Sequence, residues 1–237
     1  ERIEKHSNRF RGLASLPMHF PHEAAKELER CVTELGFLGA MLHGNLNGEF
    51  FDKTKFWPVF EMAAKLDKPI YIHPGNPHHA VKAAYYNDYE EQFPIIQTAG
   101  WGFGIETSTA AVRLILSQIF DQLPSLKIIL GHMGEGLPFL LERCHSGFSN
   151  RREEGKPYVD FRHVFSRNFF ITTSGNFSNS ALICSIMEIG TDKILFAVDW
   201  PYNDSKKGAE WIRNAPISAI EKQKITHKNA MRLFGID

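Results

Sequence analysis

The chain has 237 residues, 43% of them hydrophobic, enough to bury the core of one α/β domain. Its 27 basic and 27 acidic residues cancel, so no charge excess argues for nucleic acid or a membrane surface as partner. The three cysteines, Cys31, Cys144 and Cys184, are far apart and odd in number, which excludes a disulfide framework and a thiolate metal knuckle and fits a reducing cytoplasm.

Taken in order, residues 1–8 are charged and read as the tail of a helix. Residue 1 is Glu rather than Met, so the chain is not expected to start at a natural initiator. Residues 10–18 read as a first strand and 22–35 as a helix carrying Ala25, Leu28, Cys31 and Val32 on one face. A second strand, 37–42, runs into a loop at 43–48, where His43 is placed. A helix over 54–66 and a strand over 69–73 follow, the strand ending on His73. Residues 74–103 form a long, irregular stretch rich in aromatic side chains (Tyr85, Tyr86, Tyr89, Phe93, Trp101, Phe103) and containing His78 and His79; a loop of that length is usually functional. A helix spans 106–120.

The most informative run is 127–143. Ile128, Ile129 and Leu130 form a short continuous apolar block, as in a strand buried on both faces. Gly131-His-Met-Gly-Glu-Gly136 is too glycine-rich for regular structure, and Leu137-Pro138 opens a helix where proline is tolerated. Residues 146–158 read as a polar, exposed excursion. A strand over 168–175, a helix over 180–189, a strand over 193–201 ending near Asp199, and helices at 207–214 and 218–233 complete the chain. No apolar run approaches the roughly 18 residues of a membrane span, and no signal-peptide pattern opens the chain.

Strand–helix alternation with short buried strands implies a parallel sheet with right-handed crossovers. Such crossovers put the strand exits on one face, where His73, His132, Thr173 and Asp199 recur. Imidazole and carboxylate together suit a divalent metal of intermediate hardness. Glu135 is spaced to orient His132, and Arg143, further along the helix, suits a bidentate carboxylate clamp. Each residue also has a structural alternative. His73 before Pro74 suits a strand end, Asp199 an Asx-turn, Glu135 a helix cap, and Arg143 a solvated helix face.

Tyr71-Ile-His73-Pro-Gly, Gly131-His-Met-Gly-Glu-Gly-Leu-Pro138 and Phe196-Ala-Val-Asp199-Trp-Pro-Tyr resemble the amidohydrolase superfamily, most closely its metal-dependent hydroxybenzoate decarboxylases of the γ-resorcylate and 2,3-dihydroxybenzoate type. Trp101-Gly-Phe-Gly-Ile-Glu-Thr107, Ile171-Thr-Thr-Ser-Gly-Asn176 and Asn229-Ala-Met-Arg-Leu-Phe234 carry the same resemblance. It implies a (β/α)8 TIM-type barrel, 1–237 as a single domain, and decarboxylation of a small hydroxylated aromatic acid. It implies His73 and Asp199 as metal ligands and Asp199, His132, Glu135 and Arg143 as catalytic. The implied metal is zinc or manganese, with magnesium next. The implied partners are a small aromatic carboxylate and a second copy in a homodimer or homotetramer, in the cytoplasm, with no nucleic acid and no membrane.

The family's first strand ends in Glu-x-His, and Glu4-Lys5-His6 has those letters without an apolar run before them. With about six of eight β/α units countable, the expectation is a barrel lacking its N-terminal two units, weak in metal binding and activity. Two other readings stay open: a metal-dependent hydrolase or hydratase acting on a small carboxylated substrate, and an impaired remnant with a binding or assembly role.

Overall fold

Strands in this chain are short and helices lie between them, as the alternation predicts. The computed structural model describes residues 2–6, 8–150 and 154–236, and the chain divides into two units, Glu1–Ile128 and Ile129–Asp237. Residues 151–153, part of the expected polar excursion, lie outside the described residues.

The first unit contains β1 (Ala14–Ser15), β2 (Ala40–His43), β3 (Asn45–Leu46), β4 (Glu49–Phe50) and β5 (Ile70–His73). β1, β2 and β5 lie side by side and parallel, with Ala40 opposite Ile70 and His43 opposite His73. Ile70 and Ile72 alternate inward and are buried, while Tyr71 and His73 are half-buried. The helix Pro21–Thr33 starts on a proline and buries Ala24, Ala25, Leu28 and Cys31 along one stripe. It packs on the helix Trp57–Lys65, which buries Val59, Phe60 and Ala63. Each such Leu, Ile or Phe contributes about 1.5–3 kcal/mol when fully buried.

β6 (Ile128–Leu130), all but its first residue in the second unit, is buried along its whole length as predicted. β7 (Phe169–Thr172) and β8 (Ile194–Leu195) follow in that spatial order, and β7 and β8 are parallel with Ile171 opposite Ile194. The helices Leu137–His145, Phe161–Asn168 and Asn179–Ile189 supply Leu141, Phe161, Phe165 and Leu182 to the core. Phe165 stacks on Phe169 with ring centroids 5.0 Å apart.

The expectation of about six strands is corrected: among the described residues there are eight. β3 and β4 form an antiparallel hairpin inside residues read as loop, because two-residue strands are too short for alternation to register. The expected lack of two N-terminal units rested on that count of six and on the missing Glu-x-His strand, and it is the count that the eight strands correct. The 74–103 stretch is partly helical, with His79–Tyr85, Asn87–Glu90 and a 3-10 turn at Pro94–Gln97. His78 caps the first of these, its side chain accepting from the Ala80 amide. His43 ends a strand instead of sitting in a loop.

Candidate active site

Beyond β6 the backbone takes positive φ at five successive residues, His132, Met133, Gly134, Glu135 and Gly136. Three of them carry side chains, and the left-handed region costs an L-residue roughly 1–2 kcal/mol. Such strain persists only where the surroundings hold it, and it concentrates at functional sites. Gly134 is obligatory, since a Cβ there would lie 2.8 Å from Ile171 Cγ2 on β7. The strained turn brings His132 Nδ1 to 2.5 Å from Glu135 Oε1, and the Glu135 side chain is only 6% exposed. Glu135 does not cap the following helix; Gly136 is its N-cap, with no side-chain bond.

Asp199 is aimed by residues beyond β7 and β8. Thr173 Oγ1 donates to Ala197 O at 2.7 Å and accepts from Ala197 N at 3.0 Å, continuing the β7–β8 pairing toward Asp199. Asp199 has φ 65°. Its carbonyl accepts the Tyr202 and Asn203 amides, and Asn203 Nδ2 donates to Oδ2 at 3.2 Å. Gly175 leaves room for this, because a Cβ there would meet Asn203 Nδ2 at 2.6 Å. Asp199 Oδ2 lies 3.8 Å from His132 Nε2, so the structure brings His132, Glu135 and Asp199 together. Burial depresses the His132 imidazolium, but the bond and charge of Glu135, then the charge of Asp199, outweigh it and raise the pKa above the ordinary value.

In the first unit His73 ends β5, half-buried, with Nδ1 3.0 Å from Pro74 O. Donation from Nδ1 to that carbonyl leaves the lone pair on Nε2, the tautomer of a metal-ligating histidine. His43 lies beside it, ring centroids 4.9 Å apart. Burial, and then the neighbouring His73, hold the His43 pKa below the ordinary value. Arg143 is exposed on the last turn of its helix and forms no ion pair among the described residues.

An imidazole and a carboxylate are fitting donors for a divalent metal. Among the described residues no group of three His, Cys, Asp or Glu side chains is placed to hold an ion. Two surface depressions of the second unit lie along the helix Asn179–Ile189 and beside Phe139, and neither His132 nor Asp199 lines them. Of the aromatic residues at 85–103, Tyr86 is buried while Tyr85, Tyr89, Phe93 and Trp101 are exposed. Asn203, Asn45 and Glu106 were not anticipated as site residues. The only signal was Glu106, a carboxylate on an otherwise apolar helix face.

The amidohydrolase family model matches residues 1–236, and the chain belongs to that family. Among its relatives, the γ-resorcylate decarboxylase of Polaromonas sp. (strain JS666) is 41% identical over 248 residues, spanning 100% of this chain and 74% of that protein. The crystal structure of a dihydroxybenzoic acid decarboxylase from Polaromonas sp. JS666, with bound manganese and the inhibitor 2-nitroresorcinol, superposes with TM-score 0.90 at 40% identity, over 99% of this chain and 71% of that one. The 5-carboxyvanillate decarboxylase of Sphingomonas paucimobilis gives TM-score 0.92 at 38% identity, over 100% of this chain and 70% of that one. The expected resemblance is therefore right in family, and its count of about six strands is corrected to eight among the described residues.

Proposed function

We propose that the chain carries out metal-dependent, non-oxidative decarboxylation of a small hydroxylated aromatic acid, as a carbon–carbon lyase. The observation that carries this reading is the His132–Glu135–Asp199 constellation, built on strained backbone in a chain so similar to hydroxybenzoate decarboxylases. Its cofactor is a divalent metal, manganese, and His73 and Asp199 are the residues that would hold it. When bound, the ion supplies positive charge that draws the substrate's carboxylate and neighbouring hydroxyl oxygen and pulls electron density from them.

The chain's own groups do the rest. Asp199 is the acid that delivers a proton to the ring carbon that bears the carboxylate. The bond from that carbon to the carboxyl group breaks, its electron pair restores the aromatic ring, and carbon dioxide leaves. Asp199 is left as carboxylate and takes a proton back from solvent. His132, held protonated by Glu135, presents Nε2 beside Asp199 and steadies the phenol oxygen. Arg143 clamps the carboxylate in bidentate fashion.

The same reading takes 1–237 as one catalytic barrel domain in the cytoplasm, with no nucleic acid or membrane partner, as a homodimer or homotetramer. The three free cysteines support a reducing compartment. No helix among the described residues is long and apolar enough to cross a membrane. Phe139 and Met187, each 81% exposed, support self-association. The test is a panel of hydroxybenzoates, with manganese, assayed for carbon dioxide and the decarboxylated phenol. Release in stoichiometric amounts is expected. Hydration or hydrolysis of carboxylated substrates without carbon dioxide would sink the assignment.

A further inference from the structure

A polar pair in the first unit, a buried glutamate and a half-buried asparagine, has no part in the chemistry above. Glu106 lies in the helix Gly102–Leu116 on the face that also buries Ala110, Leu114 and Ile115, and is 6% exposed. Asn45 begins the β3–β4 hairpin, just past His43. Its Nδ2 donates to Glu106 Oε1 at 2.7 Å, across 61 residues of chain. The same amide donates to Asn76 O at 3.3 Å, and Asn45 Oδ1 accepts from Gly48 N at 2.8 Å. Both amide hydrogens and one lone pair are engaged, so the Asn45 side chain has one orientation. A carboxylate in place of an apolar residue on a buried face costs stability unless its bonds compensate.

Those bonds lead to the segment behind His73. Gly44 N donates to His73 O at 2.9 Å. The Gly44 backbone also presses on Gly75, where a Cβ added to Gly44 would lie 2.9 Å from Gly75 Cα. Asn45 holds Asn76 O, and Pro74 O takes the His73 Nδ1. The exit from β5 is thus tied to residues 44 and 45, and Glu106 is the fixed point behind Asn45. We propose that Glu106, acting through Asn45, is a positioning residue that sets the exit of β5 and with it the aim of His73 Nε2. This rests on the reading of His73 as a metal ligand.

The same helix grips the hairpin's flank a second time. Arg113 is bidentate to Asp52 at 3.0 and 2.8 Å and lies over the Phe50 ring. None of these bonds reaches residues 73–76, which makes Arg113→Met a control for simple loss of anchorage.

The experiment uses the full chain and four variants, Asn45→Ala, Glu106→Ala, Glu106→Gln and Arg113→Met. Manganese affinity is read from the electron paramagnetic resonance of free Mn²⁺, hydrogen exchange at the Gly44 amide by NMR, and anchorage by melting. Asn45→Ala and Glu106→Ala should weaken Mn²⁺ binding about 10–100-fold and speed Gly44 exchange about tenfold. Glu106→Gln keeps an acceptor oxygen and should stay within about twofold of wild type in both. Arg113→Met should melt earlier with affinity and Gly44 exchange unchanged. Should Asn45→Ala and Glu106→Ala behave like Arg113→Met, the proposal is overturned. If Glu106→Ala does not fold, Asn45→Ala decides alone. If the wild-type chain takes up no Mn²⁺, the functional reading fails, and Gly44 exchange still decides this one.

Discussion

His132 is pulled two ways: burial disfavours its charged form, while Glu135 and Asp199 favour it, and the carboxylates win. A histidine pKa raised by folding contributes stability below its unfolded value, near 6.5. That contribution is lost as pH rises through the folded pKa. Glu135→Gln removes the charge and keeps the shape. The ring should then titrate at lower pH in metal-free protein, followed by NMR of its carbon-bound protons. The alkaline limb of the rate profile should move down with it, and kcat should fall about a hundredfold. An unchanged ring titration would show that Glu135 does not hold the proton. The His132–Glu135 pair was legible because both residues share one tight turn. Asn203, which aims Asp199, was not, because an asparagine two residues past a proline reads equally well as a plain turn residue.

Among the elements, long periodic ones were read closely. The block at 128–130 is the strand Ile128–Leu130, and the helix placed at 180–189 is Asn179–Ile189. The helix expected over 218–233 is instead broken into Ala219–Gln223, a π-helical turn Lys224–Lys228, and Asn229–Phe234. Asn229 shows why the last piece sits where it does. Buried to 1% exposure, it donates from Nδ2 to Thr191 O and Ile194 O, both at 2.8 Å, tying the C-terminal helix to the start of β8. Asn229→Ala would leave one buried and one half-buried carbonyl without that donor and should cost about 2–3 kcal/mol in urea unfolding. Asn229→Asp should be worse, since it sets a carboxylate against both oxygens. A loss below about 0.5 kcal/mol for the alanine variant would mean that water replaces the amide.

For the molecule as a whole, the cores are independent of any ion. Leu28, Phe56, Phe60 and Ile72 fill one unit, and Leu141, Phe161, Phe165 and Ile171 the other. Metal removal should therefore silence the enzyme without unfolding it, unlike small zinc domains whose folding is metal binding. Exhaustive dialysis against a chelator should abolish carbon dioxide release and leave the far-ultraviolet circular dichroism unchanged. Added Mn²⁺ should restore turnover. Unfolding on chelation, or full turnover after it, would each contradict the catalytic-metal reading.

Local sequence by itself determined the alternation of buried strands with amphipathic helices, the family, and which residues stand as candidates at 73, 132, 135 and 199, because periodicity and tight-turn spacing act over a few residues. Only the tertiary structure decided that Glu135 bonds His132 instead of capping a helix, that Thr173 and Asn203 steer Asp199, and that Asn45 reaches Glu106 across 61 residues. Those choices depend on which polar groups are left facing one another once the apolar faces are buried, and no short-range pattern encodes that.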